Sequence, residues 1–145
     1  MSIIIDRYKK IKGNINNKKI NIIAVSKTFP IDHIKPLIDF GHCHFGENKV
    51  QEAEFKWSNI KNKNPPIQLH MIGKLQSNKA KKAVEIFDFI HSLDSIKLAN
   101  ALSKQQINLN KKLKYFIQVN IGAESQKSGI LPGDVDEFYT YCSKE

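Results

Sequence analysis

The feature that most constrains this chain is a repeated change of period. Short apolar runs alternate with longer segments whose apolar residues recur at i, i+3, i+4 and i+7. The first pattern predicts strands, the second helices packed by one face. The runs begin at Ile22, His42, Ile67, Phe89 and Tyr115, and a helical segment follows each. One more helical segment precedes the first run, so the chain reads as a helix and then five β-α units of about 20 to 25 residues each. Strands alternating with helices imply a parallel sheet with helices packed outside it. Right-handed crossovers then set every strand end along one edge.

The individual signals agree with this rhythm. Ser2 to Gly13 predicts a helix with Ile4, Tyr8 and Ile11 inward. Pro30 to Phe40 predicts another, with Gly41 just past its end. Pro36 requires either that this helix start near His33, which puts the proline in the tolerated first turn, or that it kink. Lys49 to Trp57 carries Val50, Ala53 and Trp57 on one side. Ser77 is the expected cap of a helix bearing Ala80, Ala83, Val84 and Phe87, and Asp94 of one bearing Leu98, Ala99 and Leu102. The last helix opens near Pro132. No repeat or low-complexity linker interrupts the chain, so residues 1–145 read as a single domain.

Composition narrows the functional classes. With 41% hydrophobic and 26% charged residues in 145, the chain can build a real core. The formal charge of +9 invites a nucleic-acid partner, but 22 of the 23 basic residues are lysine, only Arg7 is arginine, and they are scattered. Phosphate and base recognition favours arginine's planar fork, so nucleic acid is discounted as a partner. No apolar run reaches the roughly 20 residues that span a bilayer, which discounts a membrane. Ile3 to Ile5 is too short for a signal-peptide core, and a cytoplasmic location is expected. Cys43 and Cys142 lie far apart without metal-ligand spacing and read as reduced thiols.

One segment points to chemistry. Ile22 to Pro30 reads IIAVSKTFP, the pattern of a buried strand that delivers Lys27 at its C-terminal end. In folds of parallel strands, reactive groups gather at that end. A lysine partly withdrawn from water loses its proton more readily, and its amine can then form a Schiff base with a carbonyl. On local pattern alone, a solvated lysine closing a strand is the commoner reading, and the rest of the chain is what favours a reactive one.

Further motifs accompany it. HFGENKVQE (His44 to Glu52), LHMIGKLQSNK (Leu69 to Lys79), IHSLD (Ile90 to Asp94), IQVNI (Ile117 to Ile121) and SGI (Ser128 to Ile130) follow IIAVSKTFP in that order. In this the chain resembles the pyridoxal phosphate homeostasis proteins, also called the YggS or PROSC family, which are similar to the N-terminal domain of alanine racemase. Lys49 stands where that family often has an aromatic residue.

The resemblance implies an α/β fold, a partial (β/α)8 TIM barrel of the type III class that holds pyridoxal 5′-phosphate (PLP). It implies a Schiff base between PLP and Lys27, and a carrier or regulator of the cofactor without established turnover. PLP-dependent apoenzymes are candidate partners, and the complete protein is expected to be a monomer. Asn48 would hydrogen-bond the cofactor or the lysine's surroundings, or cap the next helix, or both. Glu47 would orient its neighbours. Ile72 would pack on the ring face, while Gly73 reads as a turn in plain core. His70 and His91 read as core residues, and Asn120 as a mouth or turn residue. Lys74, Lys79, Lys81 and Lys82 read as a solvated face.

The chain also departs from that family. Five strands fall short of the eight that close a barrel of about 200 residues or more. The loops after the seventh and eighth strands often bind phosphate, so the lysine is expected without the phosphate anchor. The sequence reads as a truncated gene product or as a fragment, with an open sheet edge prone to pairing. Two alternatives stand beside the homeostasis reading. One is a PLP-dependent amino-acid racemase, which needs a second acid/base group that no strand-end Tyr or Cys supplies. The other is a truncated remnant with weak cofactor binding.

Overall fold

A computed structural model describes residues 3–63, 66–125 and 127–144. After helix α1 (Ile3–Gly13), the chain alternates β1 (Ala24–Val25), α2 (Ile31–Phe40), β2 (His44–Glu47), α3 (Val50–Trp57) and β3 (Gln68–Met71). It continues through α4 (Ala80–Ile86), β4 (Phe89–Leu93), α5 (Ile96–Leu109), β5 (Lys114–Ile117) and α6 (Val135–Ser143). The five strands form one parallel sheet in sequence order, β1-β2-β3-β4-β5. Helices α2, α3, α4 and α5 therefore each join neighbouring strands, as the alternation of periods predicts.

Strand alternation divides the sheet into two unlike faces. Phe45, Leu69, Met71 and Ile90 pair across the strands and are fully buried. They meet the helix side chains Ala53, Trp57, Ala83, Val84, Leu98 and Leu102, and Phe87 just past the end of α4, in one core. The opposite face carries His44, Gly46, His70, Phe89, His91 and Phe116. It is more open, and Phe116 is 52% exposed.

Several sequence expectations shift in instructive ways. The first strand is two residues long rather than a long buried run, and Val25 is 50% exposed. It is an edge strand, paired on one side with β2, so the apolar residues before it lack a second neighbour to pair with. Helix α2 starts at Ile31, which puts Pro36 in its interior and rules out the start near His33. Gly41 does end it, at φ 105°, with its N–H on Ile38 O and that of His42 on Leu37 O. Because His42 closes that motif, β2 begins two residues later than expected, at His44.

Two caps also differ. Ser77 opens a 3-10 turn, Ser77–Lys79, behind Gln76 and makes no capping bond. Ser95, not Asp94, caps α5 by accepting from Leu98 N–H. The regular part of β5 ends at Ile117, short of Asn120, and the final helix is preceded by a 3-10 turn at Pro132–Asp134.

Candidate functional site

Strands β1, β2 and β3 end side by side, and their C-terminal ends bring Lys27, Asn48 and Ile72 to one edge of the sheet. Lys27 sits in the turn that follows β1. It is exposed and makes no hydrogen bond or ion pair among the described residues, so the partial withdrawal from water expected of it is not found. The reason is again the edge position of β1. What the sequence does deliver is an uncommitted amine at a strand end.

The turn itself is unusual. Phe29 N–H bonds Ser26 O across it at 3.2 Å, and Thr28 sits at φ 67°. That is the left-handed region, where a β-branched residue is a true outlier. Such conformations cost on the order of 1–3 kcal/mol and persist only when neighbours enforce them.

The enforcing neighbours lie beneath. Glu47, fully buried at the end of β2, accepts through Oε1 from Ser26 Oγ at 2.9 Å, Lys56 Nζ at 2.7 Å and Trp57 Nε1 at 2.9 Å. Its Oε2 is buried without a partner among the described residues. Lys56 Nζ also donates to Ser26 O at 2.6 Å and lies 3.5 Å from Glu52 Oε1. Glu52 in turn accepts from Thr28 N–H. A buried carboxylate of this kind is tolerable only when paired and hydrogen-bonded, and here Lys56 supplies the pairing.

Asn48 and Gly73 meet directly. A Cβ on Gly73 would stand 2.3 Å from both the backbone O and the Oδ1 of Asn48. Gly73 is thus required by a close approach and is more than the core turn expected of it. Asn48 is not the helix cap, because Lys49 occupies that position and makes no side-chain capping bond. Ile72 leans over Gly46. A Cβ on Gly46 would meet Ile72 Cδ1 at 3.3 Å and Ile23 Cγ2 at 3.2 Å. The two isoleucines make an apolar floor beside the rim, and Ile72 N–H bonds Glu47 O at 3.0 Å.

Asn120 takes the turn role. Its Nδ2 donates to Glu124 O at 2.7 Å, and its N–H donates to Ile130 O at 2.8 Å. Gly129, at φ 120°, packs on the Asn120 N–H, where a Cβ would come within 2.7 Å.

Two groups escaped sequence reasoning. Glu52 and Lys56 drew no reading of their own, although their i, i+4 spacing beside the buried Ala53 and Trp57 was a usable signal. The histidines read singly form a chain. His44 Nδ1 lies 3.0 Å from His70 Nε2, and His70 Nδ1 lies 2.8 Å from His91 Nε2. His70 stacks on Phe89 and His91 on Phe116. Burial, then the neighbouring His91 and His44, lowers the His70 pKa to about 4, against a smaller opposing pull from Asp88. Burial also lowers those of His44 and His91.

Comparison with known proteins sets this geometry in context. A Pasteurella multocida protein named pyridoxal phosphate homeostasis protein is 42% identical over 116 residues, 80% of this chain and 50% of that one. PipY of Synechococcus elongatus superposes with a TM-score of 0.88 when solved without PLP and 0.84 with PLP bound. The two superpositions show 37% and 35% identity, and each covers 96% of this chain. They cover 64% and 63% of the PipY chain. The alanine racemase of Clostridium difficile shares the fold at a TM-score of 0.75 and 13% identity, over 93% of this chain and 35% of that one. The chain spans about half the length of the curated relatives it matches. The family model described as alanine racemase, N-terminal domain, matches residues 2–145, and the chain belongs to that family.

Proposed function

We propose that this chain binds pyridoxal 5′-phosphate through a Schiff base on Lys27 and serves cofactor homeostasis. The observation that carries this reading is an exposed lysine amine, unbonded among the described residues, in a clamped turn at the end of β1. Beside that turn, Ile23 and Ile72 converge over Gly46. These residues fit the aldehyde and the ring of PLP: the amine is free to meet a carbonyl, and the isoleucines offer an apolar surface. When bound, the cofactor supplies an aldehyde that condenses with a primary amine and releases water. The chain's own part is to hold the amine in place, to present Ile72 toward the ring, and to set Asn48 against Gly73 at the mouth. The names of its relatives support the same reading.

Release of the cofactor to apoenzymes belongs to this proposal, as does a cytoplasmic location. Among the described residues no helix is long and apolar enough to cross a membrane.

The test is site-resolved labelling. The purified chain is mixed with PLP, reduced with borohydride and mapped by peptide mass. The label is expected on Lys27 ahead of the other 21 lysines, together with a visible absorbance band that Lys27→Ala removes. Label spread evenly over surface lysines, with the same absorbance in Lys27→Ala, refutes the reading.

A further inference from the structure

The two peptide groups that flank Lys27 are both held by one helix. Lys56 Nζ donates to the carbonyl of Ser26, which belongs to the peptide before Lys27. Glu52 accepts from the N–H of Thr28, which belongs to the peptide after it. Glu52 and Lys56 are one turn apart on α3, and their charged ends lie 3.5 Å apart. With both peptide planes fixed, the φ and ψ of Lys27 are fixed too, and so is the direction in which its side chain leaves the backbone.

The arrangement is costly on its own terms. The Lys56 side chain is 6% exposed and the Glu47 side chain 0%, and a buried ion pair is often no better for stability than apolar side chains of equal volume. Thr28 adds strain in the same place. Ordinary core packing calls for neither feature. Both are accounted for if the clamp exists to aim an amine.

We infer that Glu52 and Lys56 are positioning residues for Lys27, and that the Glu52–Lys56 clamp is what distinguishes it from the chain's other lysines as the site of aldehyde capture. This rests on the reading of Lys27 as the cofactor lysine. Glu47 serves the clamp by anchoring Lys56 and Ser26 Oγ from below. Holding a reacting group in one geometry is worth orders of magnitude in rate, and misplacement by about 1 Å can cost about 100-fold.

Glu52 is the residue to test, because its side chain is 28% exposed and its loss leaves no buried charge unpaired. Glu52→Ala is expected to lower the rate of PLP labelling at Lys27 by roughly tenfold or more, with labelling of other lysines unchanged. Glu52→Gln, whose amide oxygen still accepts from Thr28 N–H, is expected to stay within about threefold of the parent chain. Amide exchange at Thr28 should speed up in Glu52→Ala and not in Glu52→Gln, whether or not cofactor is present. A merely structural Glu52 would instead lower thermal stability and speed exchange across α3. Equal Lys27 labelling in the parent chain and Glu52→Ala overturns the inference. If the parent chain takes no label at Lys27, the binding proposal fails. The clamp is then judged on Thr28 exchange alone, and equal exchange in the parent chain and Glu52→Ala overturns it as well.

Discussion

Gly73 shows how a single missing Cβ can set a site. Its α-carbon lies so close to Asn48 that a methyl group there would overlap both a backbone oxygen and a side-chain oxygen. A flexible side chain could swing aside, but the backbone O of Asn48 cannot move without disturbing the end of β2. Gly73→Ala is therefore expected to lower stability by roughly 1–3 kcal/mol in denaturant unfolding. It should also weaken PLP labelling, because Asn48 and Ile72 shift together. Gly13→Ala is the control, since a Cβ there meets nothing within 4 Å. A Gly73→Ala chain as stable as the parent would show that the β2 end can yield. The glycine was visible in the sequence, but its reason was not. A turn and a close approach both call for glycine, and only coordinates show which neighbour comes near. Lys27 and Ile72, by contrast, were legible as strand ends. Glu52 and Lys56 were hidden because a partly buried ion pair on a helix looks the same in sequence as an exposed one.

The strands carry a second feature of the same kind. The histidines of β2, β3 and β4 fall on one face, and the register sets them diagonally, so that each ring bonds the next. In a chain of neutral imidazoles each nitrogen is either a donor or an acceptor, and adding one proton turns an acceptor into a donor and breaks a link. Protonation of His70 is opposed by its burial and then by the neighbouring His91 and His44, and is favoured by Asp88. The folded His70 titrates near 4 and the unfolded one near 6.5, so the unfolded chain binds the proton more tightly. Stability is complete above pH 6.5 and falls as the pH drops toward 4, by about 2–3 kcal/mol from this group. His70→Phe should flatten that acid limb, as seen in denaturant midpoints between pH 7 and pH 4. An unchanged slope would place the sensitivity elsewhere. The strands were legible from their apolar runs. The bonding between histidines was not, because it depends on register, and register is fixed only when the helices dock.

Among the described residues the sheet has one face fully covered by helices and another that is only partly covered, with Phe116 exposed on it. Five β-α units in order were legible in the alternation of periods in the sequence, and the sheet has five parallel strands in that order. The sequence overstated how deeply the first strand is buried, because the apolar count of IIAVSKTFP does not say whether a strand has one neighbour or two. Val25 on the β1 edge is 50% exposed, Phe116 on the partly covered face 52% and Ile121 in the turn beyond β5 84%, and β1 pairs on one side only. Unpaired strand edges beside exposed apolar groups favour association between copies. A net charge of +9 opposes it, since each copy repels the next. Salt screens the repulsion and leaves the apolar attraction in place. The 145-residue chain made alone is therefore expected to bind an apolar dye and to associate more strongly as salt rises from about 0.05 to 0.5 M, where the screening length drops severalfold. Phe116→Lys, which adds a charge to the partly covered face and removes an exposed ring, should reduce both signals. Sedimentation that stays monomeric at every salt concentration would mean that the short β1 and the lysines along these edges already suffice to keep copies apart. Association that weakens with salt would mean that ion pairs between copies, rather than the exposed apolar groups, hold them together.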